Sequence, residues 1–179
     1  MSSEGTTGPE AQPALPNLTV VAQYIKDLSF ENPGAPGGLT QRPQIELGVD
    51  LAARRGDAEH FEVEMKMRVT ARAEDKTLFL LELSYAGLFR LQNIPDEAIQ
   101  QVLLIQAPHM MFPFARRIVS DVVRDGGMPP LMIEPIDFVS LYQAKMAQAA
   151  QQAAQGGQPA NGSLDLETSF SAGVGPDIN

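Results

Sequence analysis

Apolar and polar residues alternate through the first half of this chain and then change to helical spacing. From Gln44 onward, Ile45, Leu47, Val49 and Leu51 take every second place, with Glu46, Gly48 and Asp50 between them. Period two predicts a strand with one buried face. Arg55-Gly56-Asp57 then predicts a turn. In the next run Phe61, Val63, Met65, Met67 and Val69 alternate with Glu62, Glu64, Lys66, Arg68 and Thr70. A short polar turn at Glu74-Asp75-Lys76 leads into a strand over residues 77–91. Short connections make antiparallel neighbours, so a β-meander is expected. Residues 18–30, rich in Val, Ile, Tyr and Phe, predict a strand ahead of these three. The loop that follows, with Pro33, Pro36, Pro43, Gly34, Gly37 and Gly38, is too long for a hairpin and is a candidate crossover. In the last strand Phe79, Leu81, Leu83 and Tyr85 share one face. Leu80, Glu82 and Ser84 share the other, which puts an apolar residue beside an acid on the side that should meet water.

After Leu91 the period lengthens. Pro95, Asp96 and Glu97 suit a helix start, because proline fits the first turn and acids there favour the helix dipole. Ile99, Val102, Leu103 and Ile105 follow at helical spacing. Pro108 is expected to interrupt, since it lacks a backbone donor and clashes with the preceding turn. A second helix is expected to run to Asp125, with Pro113 near its start and Gly126-Gly127 as its stop. Pro135 is expected to open a last helix carrying Phe138, Leu141, Tyr142 and Met146. Strands first and helices afterwards predict an α+β fold: a four-stranded antiparallel meander sheet with helices on one face.

Composition narrows the function. The chain has 179 residues, 44% of them hydrophobic, enough for one domain with a real core. Thirteen Lys and Arg against 22 Asp and Glu give a formal charge of −9. That balance argues against nucleic acid, which demands a basic face, and against an anionic membrane surface. With no Cys there are no disulfides, thiolate metal sites or cysteine nucleophiles. The amino terminus has neither the basic start nor the apolar stretch of a secretory signal, and the apolar run over 78–89 is broken by Glu82 and too short to span a bilayer. A cytoplasmic protein is expected. Residues 1–16 and 148–179, poor in apolar and basic residues, are expected to be disordered tails around a domain at 17–147.

The search for chemistry is mostly negative. There is no phosphate-cradling loop, no dinucleotide fingerprint and no nucleophile elbow. His60 and His109 have no partner nucleophile in view and are expected to be satisfied or surface histidines. Glu62 and Glu64 share a strand face, but Lys66 and Arg68 continue it, so a solvated polar face is the simpler reading. No cofactor and no metal is expected. What remains is an excess of apolar residues without chemistry. Met110, Met111, Phe112 and Phe114 crowd one segment, either as core or as a groove for varied apolar ligands. A small monomer has trouble hiding such a surplus, which points to an oligomer.

Four segments carry a resemblance. Lys26-Asp27-Leu28-Ser29-Phe30-Glu31-Asn32-Pro33 resembles the "KD(I/L)SFE-x-P" stretch of the SecB family of bacterial export chaperones. Residues 61–70 resemble that family's third strand. Pro108-His109-Met110-Met111-Phe112-Pro113-Phe114-Ala115-Arg116 resembles its "CPxxLFPYAR" segment, and residues 129–138 resemble its "FPxLxLxPVNF" connector. The likeness spans roughly residues 18–146.

The resemblance implies an ATP-independent holdase, assembled as a homotetramer (a dimer of dimers), that keeps precursor proteins unfolded and delivers them to the SecA ATPase. It implies that Asp27, Glu31, Leu80 and Glu82 bind SecA's zinc-binding C-terminal tail. It assigns tetramer assembly to Leu81, Leu83 and Tyr85. Its client groove falls on Leu39, Phe79, Met110, Met111, Phe112, Phe114, Leu131 and Ile133. The family's crossover loop usually carries an aromatic residue, whereas none occurs here between Phe30 and Phe61, so either a shallower subsite or Met in the aromatic's place is expected. Two other readings stay open from the residues: an adaptor dedicated to one client protein, and a small enzyme using Glu62 and Glu64 or Asp27 and Glu31.

Overall fold

The computed structural model describes residues 15–36, 42–74, 76–154 and 170–173. Four long strands, β1 (Asn17–Glu31), β2 (Gln44–Arg55), β3 (His60–Ala73) and β4 (Lys76–Gln92), are followed by helices and then by a four-residue strand, β5 (Phe170–Gly173). All form one antiparallel sheet in the order β1-β4-β3-β2-β5. The fold is α+β, as the strand-then-helix order predicts. The expected meander needs correcting: it holds for β2, β3 and β4 only. Their connections are tight turns, whereas the long connection after β1 lets that strand cross over and pair with β4. The fifth strand, on the far edge of β2, lies in the segment expected to be a disordered tail; residues 1–14, 155–169 and 174–179 lie outside the described residues.

The β2–β3 turn is built by Asp57, whose Oδ1 accepts the backbone N–H groups of Glu59 and His60 at 2.9 and 2.8 Å. Those two bonds, with the His60 ring at 3.0 Å, hold its carboxyl down at about 2. The strands bury the face their alternation marks. Phe61, Val63, Met65, Met67 and Val69 are at most 1% exposed.

The helices cover that face. Residues 96–125 form one continuous helical run: α1 (Asp96–Gln101), a π-helical turn over Val102–Gln106, and α2 (Ala107–Asp125). Pro108 therefore does not interrupt it, contrary to expectation. It occupies the first turn of α2, directly after the π turn has already replaced the i→i−4 bonding that a proline ring would block. His109 adds its ring Nδ1, 2.7 Å from the Ile105 carbonyl oxygen. Gly126 and Gly127 end α2, and Gly127 takes φ +82°, which favours glycine. The last helix, α3 (Phe138–Ala154), starts three residues after Pro135. Asp137 caps it by accepting the N–H groups of Val139 and Ser140, each at 3.0 Å.

Two glycines let the layers touch. A Cβ on Gly87 of β4 would lie 2.5 Å from the Phe89 ring and 3.2 Å from Met111 Sδ. A Cβ on Gly126 would lie 2.5 Å from the Phe30 ring. No helix among the described residues is long and apolar enough to cross a membrane.

Candidate functional site

The open face of the sheet, opposite the helices, collects the four residues expected to meet a partner. In the β1–β4 register Glu31 faces Leu80, Ser29 faces Glu82, and Asp27 faces Ser84. Directly opposed residues of antiparallel strands point to the same side. Asp27, Glu31, Leu80 and Glu82 thus share one face across two strands. Leu80 is half-buried and Glu82 is exposed, its Oε1 3.4 Å from Arg68 Nε on β3. Beside them opens a cavity of about 510 Å³, walled by Asp27, Asp50, Glu64, Lys66, Arg68 and Glu82.

A polar bridge fixes the β1 side of this ledge. The register slips between Ile25 and Asp27, so Lys26 sits in a bulge. Its ammonium donates to Glu62 Oε1 at 2.9 Å and to Glu64 Oε2 at 3.3 Å, both on β3, spanning β4 where Ala86 presents only a methyl group. Tyr24 donates to Glu62, and Ser84 donates to Glu64. The Tyr24 and Lys26 bonds hold the Glu62 carboxyl below its ordinary value. Burial pushes Glu64 up, but the Ser84 hydroxyl and Lys26 together outweigh it and leave it lowered. In turn the Glu62 bond raises both Lys26 and Tyr24. Glu62 and Glu64 are thus tied up as hydrogen-bond acceptors in a structural bridge. Sequence alternation placed Glu64 on a solvated face; the bulge that brings Lys26 over it leaves no trace in a period-two pattern.

On the helix side, Leu81 and Leu83 are at most 1% exposed and Tyr85 is 6% exposed, all beneath this chain's own helices. The Tyr85 hydroxyl donates to Gln23 Oε1 at 3.2 Å, and burial raises its pKa.

The expected groove residues separate into two sets. Phe79, Met111, Phe112 and Ile133 are buried in the core, and Leu131 is half-buried. Met110 and Phe114 are exposed, four apart on the outer side of α2. Leu39 lies outside the described residues. Sequence reasoning missed Met132, the most exposed of the large apolar groups on the helical side at 71%, together with Val139 and Met146 of α3. It also missed Val21, Ile25 and Leu28, exposed on β1. One signal was available: in the extended connector, Leu131, Met132 and Ile133 cannot all face inward.

A family model described as preprotein translocase subunit SecB matches residues 11–149. A protein-export protein SecB of Hyphomonas neptunium is 50% identical over 158 residues, covering 87% of this chain and 95% of that protein. One from Parvibaculum lavamentivorans is 48% identical, covering 86% and 97%. Among solved structures, a Mycobacterium tuberculosis SecB-like chaperone in complex with an antitoxin peptide superposes with a TM-score of 0.58 at 16% identity, covering 66% of this chain and 90% of that one.

Proposed function

This chain belongs to the SecB family, and on that premise we propose that it is an ATP-independent holdase that binds unfolded precursor proteins and delivers them to SecA. Family members are export chaperones by name, not enzymes. Clients bind along apolar surface that demands no particular sequence. Met110 and Phe114 are its exposed part, with Met132 beside the half-buried Leu131 in the connector, and Leu39 is assigned to it by the family resemblance alone. Phe79, Met111, Phe112 and Ile133 support it from beneath. SecA's zinc-binding C-terminal tail docks on Asp27, Glu31, Leu80 and Glu82. The observation that carries this half is their convergence on one open face, with an apolar contact set among acids. The working species is a homotetramer, a dimer of dimers, acting in the cytoplasm. Exposed Val21, Ile25 and Leu28 on the edge strand β1 supply self-association surface, and Leu81, Leu83 and Tyr85 act on assembly through the helices they carry.

The test pairs two assays on wild type and Glu82→Lys. Wild type suppresses aggregation of an unrelated denatured protein without ATP and binds a synthetic SecA tail loaded with zinc. Glu82→Lys retains the first activity and binds the tail about five- to thirtyfold more weakly at low salt, with the difference shrinking as salt screens the ledge. Equal tail affinity in both proteins refutes the ledge. A second reading, a chaperone dedicated to one client, is favoured by the structural neighbour with its antitoxin peptide, a likeness that extends to fold alone. Suppression limited to a single client would select it.

A further inference from the structure

Seven of the eight methionines lie among the described residues, and the chain has no cysteine, so its oxidisable sulfur is all methionine sulfur. The fold divides the seven sharply. Met65, Met67 and Met111 are at most 1% exposed and Met128 is buried, all of them packed into the core. Met110 and Met146 stand 39% and 40% exposed on α2 and α3, and Met132, in the connector between those helices, stands 71% exposed. The connector's own anchors put Met132 outside. On one side of it Ile133 is buried, and its carbonyl oxygen accepts from Arg116 Nη1 of α2 at 3.3 Å. The same guanidinium lies 5.7 Å from the centre of the Phe112 ring, itself in edge contact with Phe138 at the start of α3. On the other side Leu131 is half-buried against the core. With both neighbours drawn inward, Met132 projects from a pinned piece of chain.

We propose that Met132 is a reversible oxidation site: a two-electron oxidant such as hydrogen peroxide converts it to the sulfoxide and weakens the grip on clients, and a methionine sulfoxide reductase restores it. The inference rests on the holdase reading above, which counts Met132 in the client surface. In the forward step a lone pair on Sδ attacks one peroxide oxygen. The O–O bond breaks, an S–O bond forms, and the other oxygen leaves as water with both hydrogens. Sulfur is oxidised by two electrons and the peroxide is reduced by two. In the reverse step two reductase thiols supply two electrons and two protons and become a disulfide, and the sulfoxide oxygen leaves as water. The oxidised side chain has nearly the same length but a different character. A flexible thioether that suits varied apolar segments becomes a polar acceptor that loses its water whenever a client covers it. The core is spared because its methionines are covered. The ledge lies on the other face of the sheet, so the change acts on the client and leaves the SecA tail alone.

The test uses the full chain in its native assembly, treated with hydrogen peroxide, cleared of it with catalase, and mapped by peptide mass spectrometry. Met132 is expected to gain one oxygen first, Met110 and Met146 next, and Met65, Met67 and Met111 at least about tenfold more slowly than Met132, since they react only when the core opens. The binding probe is a reduced and alkylated, permanently unfolded polypeptide, added after the peroxide is gone. Protein converted at Met132 is expected to bind it about two- to tenfold more weakly, and methionine sulfoxide reductases A and B with dithiothreitol to restore the affinity. Met132→Leu keeps the apolar bulk without an oxidisable sulfur, so the same treatment should leave most of its affinity. Met132→Gln should bind weakly with no oxidant at all. Oxidation of Met132 no faster than the core methionines, unchanged affinity after its conversion, affinity that the reductases do not restore, or equal losses in wild type and Met132→Leu overturns the site. Loss of affinity for the zinc-loaded SecA tail in step with the client shows general damage and overturns it as well. Untreated protein that binds no probe refutes the holdase reading itself.

Discussion

Replacing Lys26 by Met keeps the apolar stem across Ala86 and deletes the charge that joins β1 to β3. Its ammonium lies 2.9 Å from Glu62 and 3.3 Å from Glu64. The Glu64 side chain keeps only 10% of its exposure, while Lys26 and Glu62 keep 31% and 27%. Removing one partner of a fully buried pair costs roughly 3–5 kcal/mol, whereas an exposed pair is worth roughly 0–1 kcal/mol. With Lys26 about a third exposed, and with the Ser84 and Tyr24 hydroxyls still bonded to the two acids, the expected loss is about 1–2 kcal/mol. Adding Glu64→Gln removes the better-buried charge while its amide oxygen still accepts from Ser84. The double variant should then recover about 1 kcal/mol relative to the sum of the single losses. Urea unfolding at pH 7 and fixed protomer concentration measures all four proteins. The pH dependence has a definite sign. Glu62 and Glu64 are lowered in the folded chain, so their contribution is complete above the ordinary value of 4.5 and is lost as pH falls through the lowered values. Lys26 is raised, so its contribution is complete below 10.5 and fades only as pH rises through its higher folded value. The gap between wild type and Lys26→Met therefore narrows in acid. Equal stability at pH 7, or a gap that widens as pH falls below 4.5, refutes the bridge.

Two further substitutions test the contact between layers. Gly87→Ala drives a methyl group against the Phe89 ring and Met111 Sδ, an overpacking expected to cost roughly 1–3 kcal/mol in thermal or urea unfolding; a neutral result would mean that β4 and α2 are not held this closely. Gly126→Ala meets the Phe30 ring in the same way, and its cost should fall when Phe30→Leu removes the ring. Equal costs in both backgrounds would show that Phe30 does not set the end of α2.

The strands were legible because one face of each is buried, and burial imposes period two. Strand order was less legible: a pattern of apolar residues says which face is inward and nothing about which neighbour lies alongside. The Pro- and Gly-rich loop hinted at a crossover, yet only the register of Glu31 with Leu80 places β1 beyond β4. The helices failed at one residue. Treating Pro108 as a break discards the helical phase, and without phase Met110, Met111, Phe112 and Phe114 form one undivided cluster. Once the π turn carries the helix through, Ala107, Met111, Ala115, Ile118 and Val119 fall on the buried side and Met110 and Phe114 on the outer one. The acids of the ledge were found through a motif; their placement on a single face needed the bulge at Lys26, which shifts every later residue of β1 relative to β4.

The geometry also constrains how a handover works. The proposed ledge and the exposed residues of α2 and α3 lie on opposite sides of one sheet, so under the proposed function a client on the helices and a SecA tail on the ledge would be held at once without contact between them. Under that proposal transfer would not be simple displacement of one ligand by the other, and coupling would run through the sheet. β4 is the shared element: its odd residues carry the helices and its even residues carry half of the ledge. The shortest route lies at the end of β1. There Glu31, a ledge residue, sits between Phe30, whose ring abuts Gly126, and Asn32, whose Nδ2 donates to the Gly126 carbonyl at 2.9 Å. A tail that pulls on Glu31 therefore acts one residue along the chain from two noncovalent contacts with the end of α2, the helix that presents Met110 and Phe114. Coupling of this kind is reciprocal, so a client that strains α2 must alter tail affinity by the same factor by which the tail alters client affinity.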